Sequence, residues 1–78
     1  MQVRLYDVAR WDNQMLLELG EIVEDWVDRA ATHQVISSEL LGKLENLIRR
    51  LNTRFNVNIH ADRSSMFDEI DDCISRIL

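Results

Sequence analysis

No proline interrupts this 78-residue chain, only two glycines occur, and Cys73 is its one cysteine. Each scarcity removes a class of structure or chemistry. One thiol cannot close an internal disulfide, and one cysteine with two histidines is too few for a closed structural zinc site. Gly20 and Gly42 both fall inside helical patterns, so no glycine-rich loop is present to cradle a phosphate. No apolar run approaches the roughly 18 residues of a membrane span, and no charged segment leads into a hydrophobic signal core. These absences point to the reducing cytoplasm and to no membrane association. A chain of this length buries only about 60–65% of its unfolded surface, so without disulfide or metal its stability rests on helix packing or self-association. An apolar content of 46% leaves surface over for a partner and favours a homodimer.

The formal net charge of −5 is unevenly spread. Residues 1–38 carry seven acids against Arg4, Arg10 and Arg29; residues 61–78 carry five against Arg63 and Arg76. Between them, residues 39–60 carry Lys43, Arg49, Arg50 and Arg54 against Glu39 and Glu45. Phosphate neutralisation dominates general nucleic-acid affinity, so an acidic chain with one basic patch is not expected to bind nucleic acid directly.

What is abundant is helical periodicity. Residues 12–31 place Met15, Leu16, Leu19, Ile22, Val23, Trp26, Val27 and Ala30 on one apolar arc, with Asp12 suited as the N-cap. Trp11 is placed to staple onto Leu16. Glu18, Glu21, Asp25 and Asp28 fall in a narrow stripe on the other side, and Leu17 points among the acids, away from the arc. Gly20 costs about 1 kcal/mol relative to alanine in a helix interior, which suggests close approach of another helix or a slight bend. Val35 and Ile36 are expected to tuck the following connection against the core.

A second helix, from residue 39 to about 52, is capped by Ser37 or Ser38 and carries a seam of Leu40, Leu41, Leu44, Leu47, Ile48 and Leu51. Arg49, Arg50 and Arg54 complement the negative end of this helix. A last helix starts at Ser64 and Ser65, with Ser65 and Asp68 reading as a capping box. Its dry face is Met66, Phe67, Ile70, Cys73, Ile74 and Ile77; its wet face includes Asp68, Glu69, Asp71 and Asp72.

Two segments have period two. Val3 and Leu5 alternate with polar residues, which suggests either a strand over residues 2–6 or an irregular arm. Phe55, Val57 and Ile59 alternate with Asn56, Asn58 and His60, giving a strand or an extended crossing segment. The expected architecture is a mainly α (α+β) single compact domain over residues 1–78. Its three amphipathic helices and two short extended or strand segments run in the order β-α-α-β-α.

Chemistry is sparse. Cys73 lies on an apolar helix face, where a thiol acts as a small hydrophobe. His33 and His60 fall at element ends, where histidine is commonly a surface residue. Asp68 and Asp72 share a helix face, but a Mg²⁺ or Ca²⁺ site needs about six oxygens, and no Asp-x-Asp-x-Asp-Gly loop is present. A solvated acidic face near a helix N-terminus explains these residues more simply. No enzyme activity, cofactor or metal is expected.

The run Leu47, Ile48, Leu51, Phe55, Val57, Ile59, Ile70, Ile74 and Ile77 resembles the hydrophobic pattern of acyl carrier proteins from their second helix to their last. The resemblance covers the C-terminal half. It implies a carrier role with Ser38 or Ser37 as the phosphopantetheine acceptor. The family's Asp-Ser-Leu motif is absent here, and the basic outer face of the second helix is opposite in sign to that family's acidic one.

The residues thus point to a small acidic protein-interaction module, of the inhibitor or immunity type that phages encode. It would bind a partner with a basic surface, which could belong to a nucleic-acid-handling complex. The candidate contact residues are Leu17, Glu18, Glu21, Asp25 and Asp28, with Asp68, Glu69, Asp71 and Asp72. The other reading is a structural subunit whose helices pair as a homodimer.

Overall fold

A computed structural model describes residues 3–78 of the chain. Four helices follow in order: α1 (Leu5–Ala9), α2 (Asn13–Ala31), α3 (Ser38–Phe55) and α4 (Arg63–Ile77). Among the described residues there is no strand. The mainly α class holds, and the order β-α-α-β-α does not.

The three long helices form where apolar residues recur at helical spacing, and each starts on a side-chain cap. The Asp12 carboxylate accepts from the Gln14 and Met15 N–H groups at 3.0 and 3.2 Å. Ser37 Oγ accepts from Leu40 N–H at 3.2 Å, which selects Ser37 over Ser38 as the cap of α3. Asp62, not Ser65, caps α4, accepting from Ser65 N–H at 3.3 Å. The expected Ser65–Asp68 box is pre-empted because an aspartate lies three residues upstream. Hydrogen bonds from Ser65 hold the Asp62 carboxyl below its ordinary range. Its capping contribution is therefore present above the unfolded pKa and is lost as pH falls through the lower folded value.

α2 and α3 pack antiparallel. Arg54, at the end of α3, reaches Asp12 at the start of α2 with a separation of 2.9 Å, and Arg50 pairs with Glu18 one turn further in. α4 runs antiparallel to α2, with Phe67 edge-on to Trp26 at 5.1 Å. Leu19, Val23, Leu44, Leu47, Ile48, Ile70 and Cys73 are fully enclosed between the three. Ala30, placed on the apolar arc by its spacing, is exposed in the last turn of α2. Phe67 sits at the rim of its helix's dry face, at 36% exposure.

The N-terminal segment is helical because Leu5, Val8 and Ala9 stand at i, i+3 and i+4 and are all fully buried. Five residues are far too few for a self-supporting helix, so tertiary contacts hold α1. Trp11 packs edge-on to Phe55 at 5.3 Å.

The segment after α3 is extended without belonging to a sheet. Asn56 turns the chain with φ 50°, a left-handed conformation that asparagine tolerates better than most residues. The Asn52 side chain then brackets the backbone of Ile59. Its Nδ2 donates to the Ile59 carbonyl at 2.9 Å, and its Oδ1 accepts from the Ile59 N–H at 2.8 Å. A side-chain amide thus supplies what a neighbouring strand would have supplied. The alternation in the sequence correctly separates buried Ile59 from exposed Asn58 and His60.

Between α2 and α3, Val35 is 85% exposed and only Ile36 packs on the core. α2 ends in a Schellman turn, with Gln34 N–H on the Arg29 carbonyl at 2.8 Å and His33 N–H on the Ala30 carbonyl at 3.2 Å. His33 occupies the left-handed position, with φ 60°. Its side chain is exposed. Replacing His33 with glycine should therefore stabilise the protein by about 0.5–1 kcal/mol, read as a higher thermal midpoint.

Candidate functional site

Seven of the fourteen acids are held in ion pairs: Asp7, Asp12, Glu18, Asp25, Glu45, Glu69 and Asp72. Asp62 caps α4, and Glu39 lies in the first turn of α3, where the helix dipole favours it. The acids without a cation or a helix-end role among the described residues are Glu21, Glu24 and Asp28 on α2, and Asp68 and Asp71 on α4.

This accounting divides the expected acidic stripe of α2. Glu18 turns to Arg50 on α3, and Asp25 pairs with Arg29 one turn along at 3.2 Å. Glu21, Glu24 and Asp28 are fully outward. Leu17 heads the same row at 72% exposure. The row 17, 21, 24, 28 steps by four, three and four residues, so it stays on one face over about 16 Å. Glu24 joins the contact set proposed from spacing, since it occupies the same angular sector as Leu17.

The second expected acidic face also divides. Asp68 and Asp71 are exposed on α4. Glu69 is buried at 6% exposure, contrary to its placement on a wet face. Its carboxylate accepts from Leu5 N–H at 2.6 Å and lies 3.2 Å from the Arg4 guanidinium. It therefore acts as the cap of α1, supplied from the other end of the chain. Asp72 is partly buried between Arg4 at 3.7 Å and Arg76 at 3.3 Å, and its Oδ2 has no hydrogen-bond donor. Arg76 also reaches Asp7 at 2.7 Å. Glu69 and Asp72 thus fasten α1 onto α4.

Beside the outward row lies an open groove of about 510 Å³, where α1, α2 and α4 meet. Tyr6, Leu16, Leu17 and Ile77 give it apolar walls, Gly20 lies on its floor, and Glu21 and Glu24 border it. Among the described residues Arg76 is its one cation, and that charge is already engaged by Asp7 and Asp72 while its guanidinium lies over the Tyr6 ring. The expectation that another helix presses on Gly20 is not met: a Cβ at Gly20 would have nothing within 4 Å.

A smaller cleft of about 240 Å³ separates α2 from α3 and is lined by Glu18, Glu21 and Asp25 against Lys43 and Arg50. Its charges largely offset one another. The arginines of α3 are likewise engaged, Arg49 on Glu45 at 2.6 Å, Arg50 on Glu18 and Arg54 on Asp12.

Cys73 is fully buried, and burial, with Asp72 and Glu69 nearby, pushes its thiol up to about 12. Native protein at pH 8 should accordingly resist iodoacetamide, while urea-unfolded protein reacts promptly; equal rates in mass spectrometry would contradict the buried placement. His33 and His60 are both exposed. Ser37 Oγ is occupied as a helix cap and Ser38 is exposed. Among the described residues no group of three His, Cys, Asp or Glu side chains is arranged to hold a metal ion. No described helix is long and apolar enough to cross a membrane.

No protein-family model, curated protein or solved structure matches the chain.

Proposed function

We propose that this chain is a non-enzymatic interaction module that occupies a basic surface on a partner protein through the outward row of α2. The observation that carries the reading is the contrast within one helix. Glu18 and Asp25 are matched by arginines, whereas Glu24 and Asp28, and Glu21 at the edge of the Lys43 cleft, form no ion pair among the described residues and lie beside an exposed leucine. Uncompensated charge on a rigid element speeds encounter with an oppositely charged surface, and an apolar residue within it supplies desolvation once contact is made. Such a module acts by occupancy, covering the partner's surface in the manner of an inhibitor or immunity protein. A nucleic-acid-handling partner would present a surface of this kind. Direct binding to nucleic acid is disfavoured by the engagement of Arg49, Arg50 and Arg54 with carboxylates of the same chain.

Two variants test this reading. Triple charge reversal (Glu21→Lys, Glu24→Lys, Asp28→Lys) and Leu17→Asp both alter exposed positions and should leave thermal stability within about 0.5 kcal/mol of the parent. Affinity capture from source-cell extract should recover a partner with the parent protein, lose it with either variant, and weaken steeply with added salt. Recovery of the same proteins by parent and charge-reversed bait would refute the assignment of this face.

A further inference from the structure

We propose that the groove beside the outward row receives one amphipathic helix of the partner, apolar along its inner face and flanked by lysine or arginine. The inference rests on the reading above and specifies the partner's form and seat.

Gly20 supplies the first argument. A glycine inside a helix is destabilising relative to alanine, and its missing Cβ permits close approach of a ligand to the backbone. Among the described residues nothing makes that approach, and the space above Gly20 is open. That space is the floor of the groove. A side-chain ridge from outside the molecule can therefore come closer to the α2 backbone at Gly20 than at any position bearing a Cβ.

The second argument is the shape of the furrow. α2 and α4 run antiparallel, and the trough between such helices accepts the side-chain ridge of a third. Among the described residues there is no strand, so no sheet edge offers pairing to an extended peptide. Leu17 and Ile77 supply apolar walls on α2 and α4, suited to anchors spaced one and two turns apart on the incoming helix.

Charge fixes the third feature. Glu21 and Glu24 border the groove, Asp28 continues the row, and Arg76 is engaged within the chain. A second copy docked here across a two-fold axis would set these carboxylates against their own mates, which disfavours a homodimer through this face. The complementary occupant is a basic helix of a different protein.

A random display library of peptides about 16 residues long, some four turns of helix, provides the probe. Selection on the intact protein should enrich sequences with large apolar residues at i, i+4 and i+7 flanked by lysine or arginine. A synthetic copy of the dominant sequence, followed by fluorescence anisotropy, should bind at least about fivefold more weakly to Gly20→Ala and about tenfold more weakly to Ile77→Asp. Gly20→Ala should at the same time raise the thermal midpoint, so its loss of binding cannot be a folding defect. No enrichment, enrichment of acidic or non-helical sequences, or equal binding to Gly20→Ala would overturn the proposal. Peptides lost on charge reversal of the row but indifferent to Gly20→Ala and Ile77→Asp would overturn the groove while leaving the acidic row standing. Peptides indifferent to all of these variants would remove both.

Discussion

Replacing Asn52 with alanine is expected to destabilise the protein by about 2–4 kcal/mol, because it strands both backbone polar groups of Ile59. Ile59 is only 4% exposed, so water cannot readily take over its N–H and C=O. Among the described residues, the two bonds from one amide, at 2.9 and 2.8 Å, are the only hydrogen bonds to these two groups. The same clamp fixes the course of the connection into α4, hence where Met66 and Ile70 enter the core. Urea denaturation of the parent and Asn52→Ala measures the loss directly, and hydrogen exchange at the Ile59 amide reports the clamp itself. A stability change below about 0.5 kcal/mol, the range of an ordinary surface substitution, would show that the clamp contributes little.

Glu69→Ala should cost a similar amount, about 2–4 kcal/mol, with a distribution that identifies its cause. The substitution removes the acceptor for Leu5 N–H and the nearest counter-charge of Arg4. Arg4 retains 38% side-chain exposure and the more distant Asp72, which keeps the loss below that of a fully buried ion pair. Glu69→Gln keeps an acceptor for Leu5 N–H and gives up only the charge, so it should lose about 1 kcal/mol. Hydrogen exchange should show the loss first in α1, where Val8 N–H bonds to the Arg4 carbonyl at 3.2 Å. Uniform loss of protection across α2 and α3, with α1 unchanged, would contradict the role of Glu69 as the fastening of α1.

The three long helices were legible because their apolar residues repeat at i, i+3 and i+4 and because Asp12 and a serine precede the first two. The sequence reading ends α3 near residue 52, whereas the helix continues to Phe55 and the Asn52 amide serves the segment that follows. α1 was harder to read for a physical reason. Over so few residues, Val3 and Leu5 satisfy a period of two while Leu5, Val8 and Ala9 satisfy a helical one. Tertiary burial decides between them. Ion pairs one turn apart, such as Arg49 with Glu45, follow from spacing, whereas Arg50 with Glu18 and Arg54 with Asp12 depend on how helices pair. The candidate site shows the same divide: Leu17, Glu21 and Asp28 were placed correctly on the outer face. Glu69 was assigned to water by its charge, because nothing local shows that α1 returns to cover it.

The fastening of α1 also sets an order of events. Leu5 and Glu69 are 64 residues apart in the chain, and Asp7 and Arg76 are 69 apart. The residues of α1 precede α4 in the chain, yet α4 supplies both their carboxylate cap and the surface on which they pack. Closing so long a loop is entropically expensive, and α1 cannot hold its own shape meanwhile. α2 and α3, joined by a short connection, can pair as soon as both exist. α1 is therefore expected to gain its protection after α2 and α3 during refolding, and pulsed hydrogen exchange at the Val8 amide checks that order.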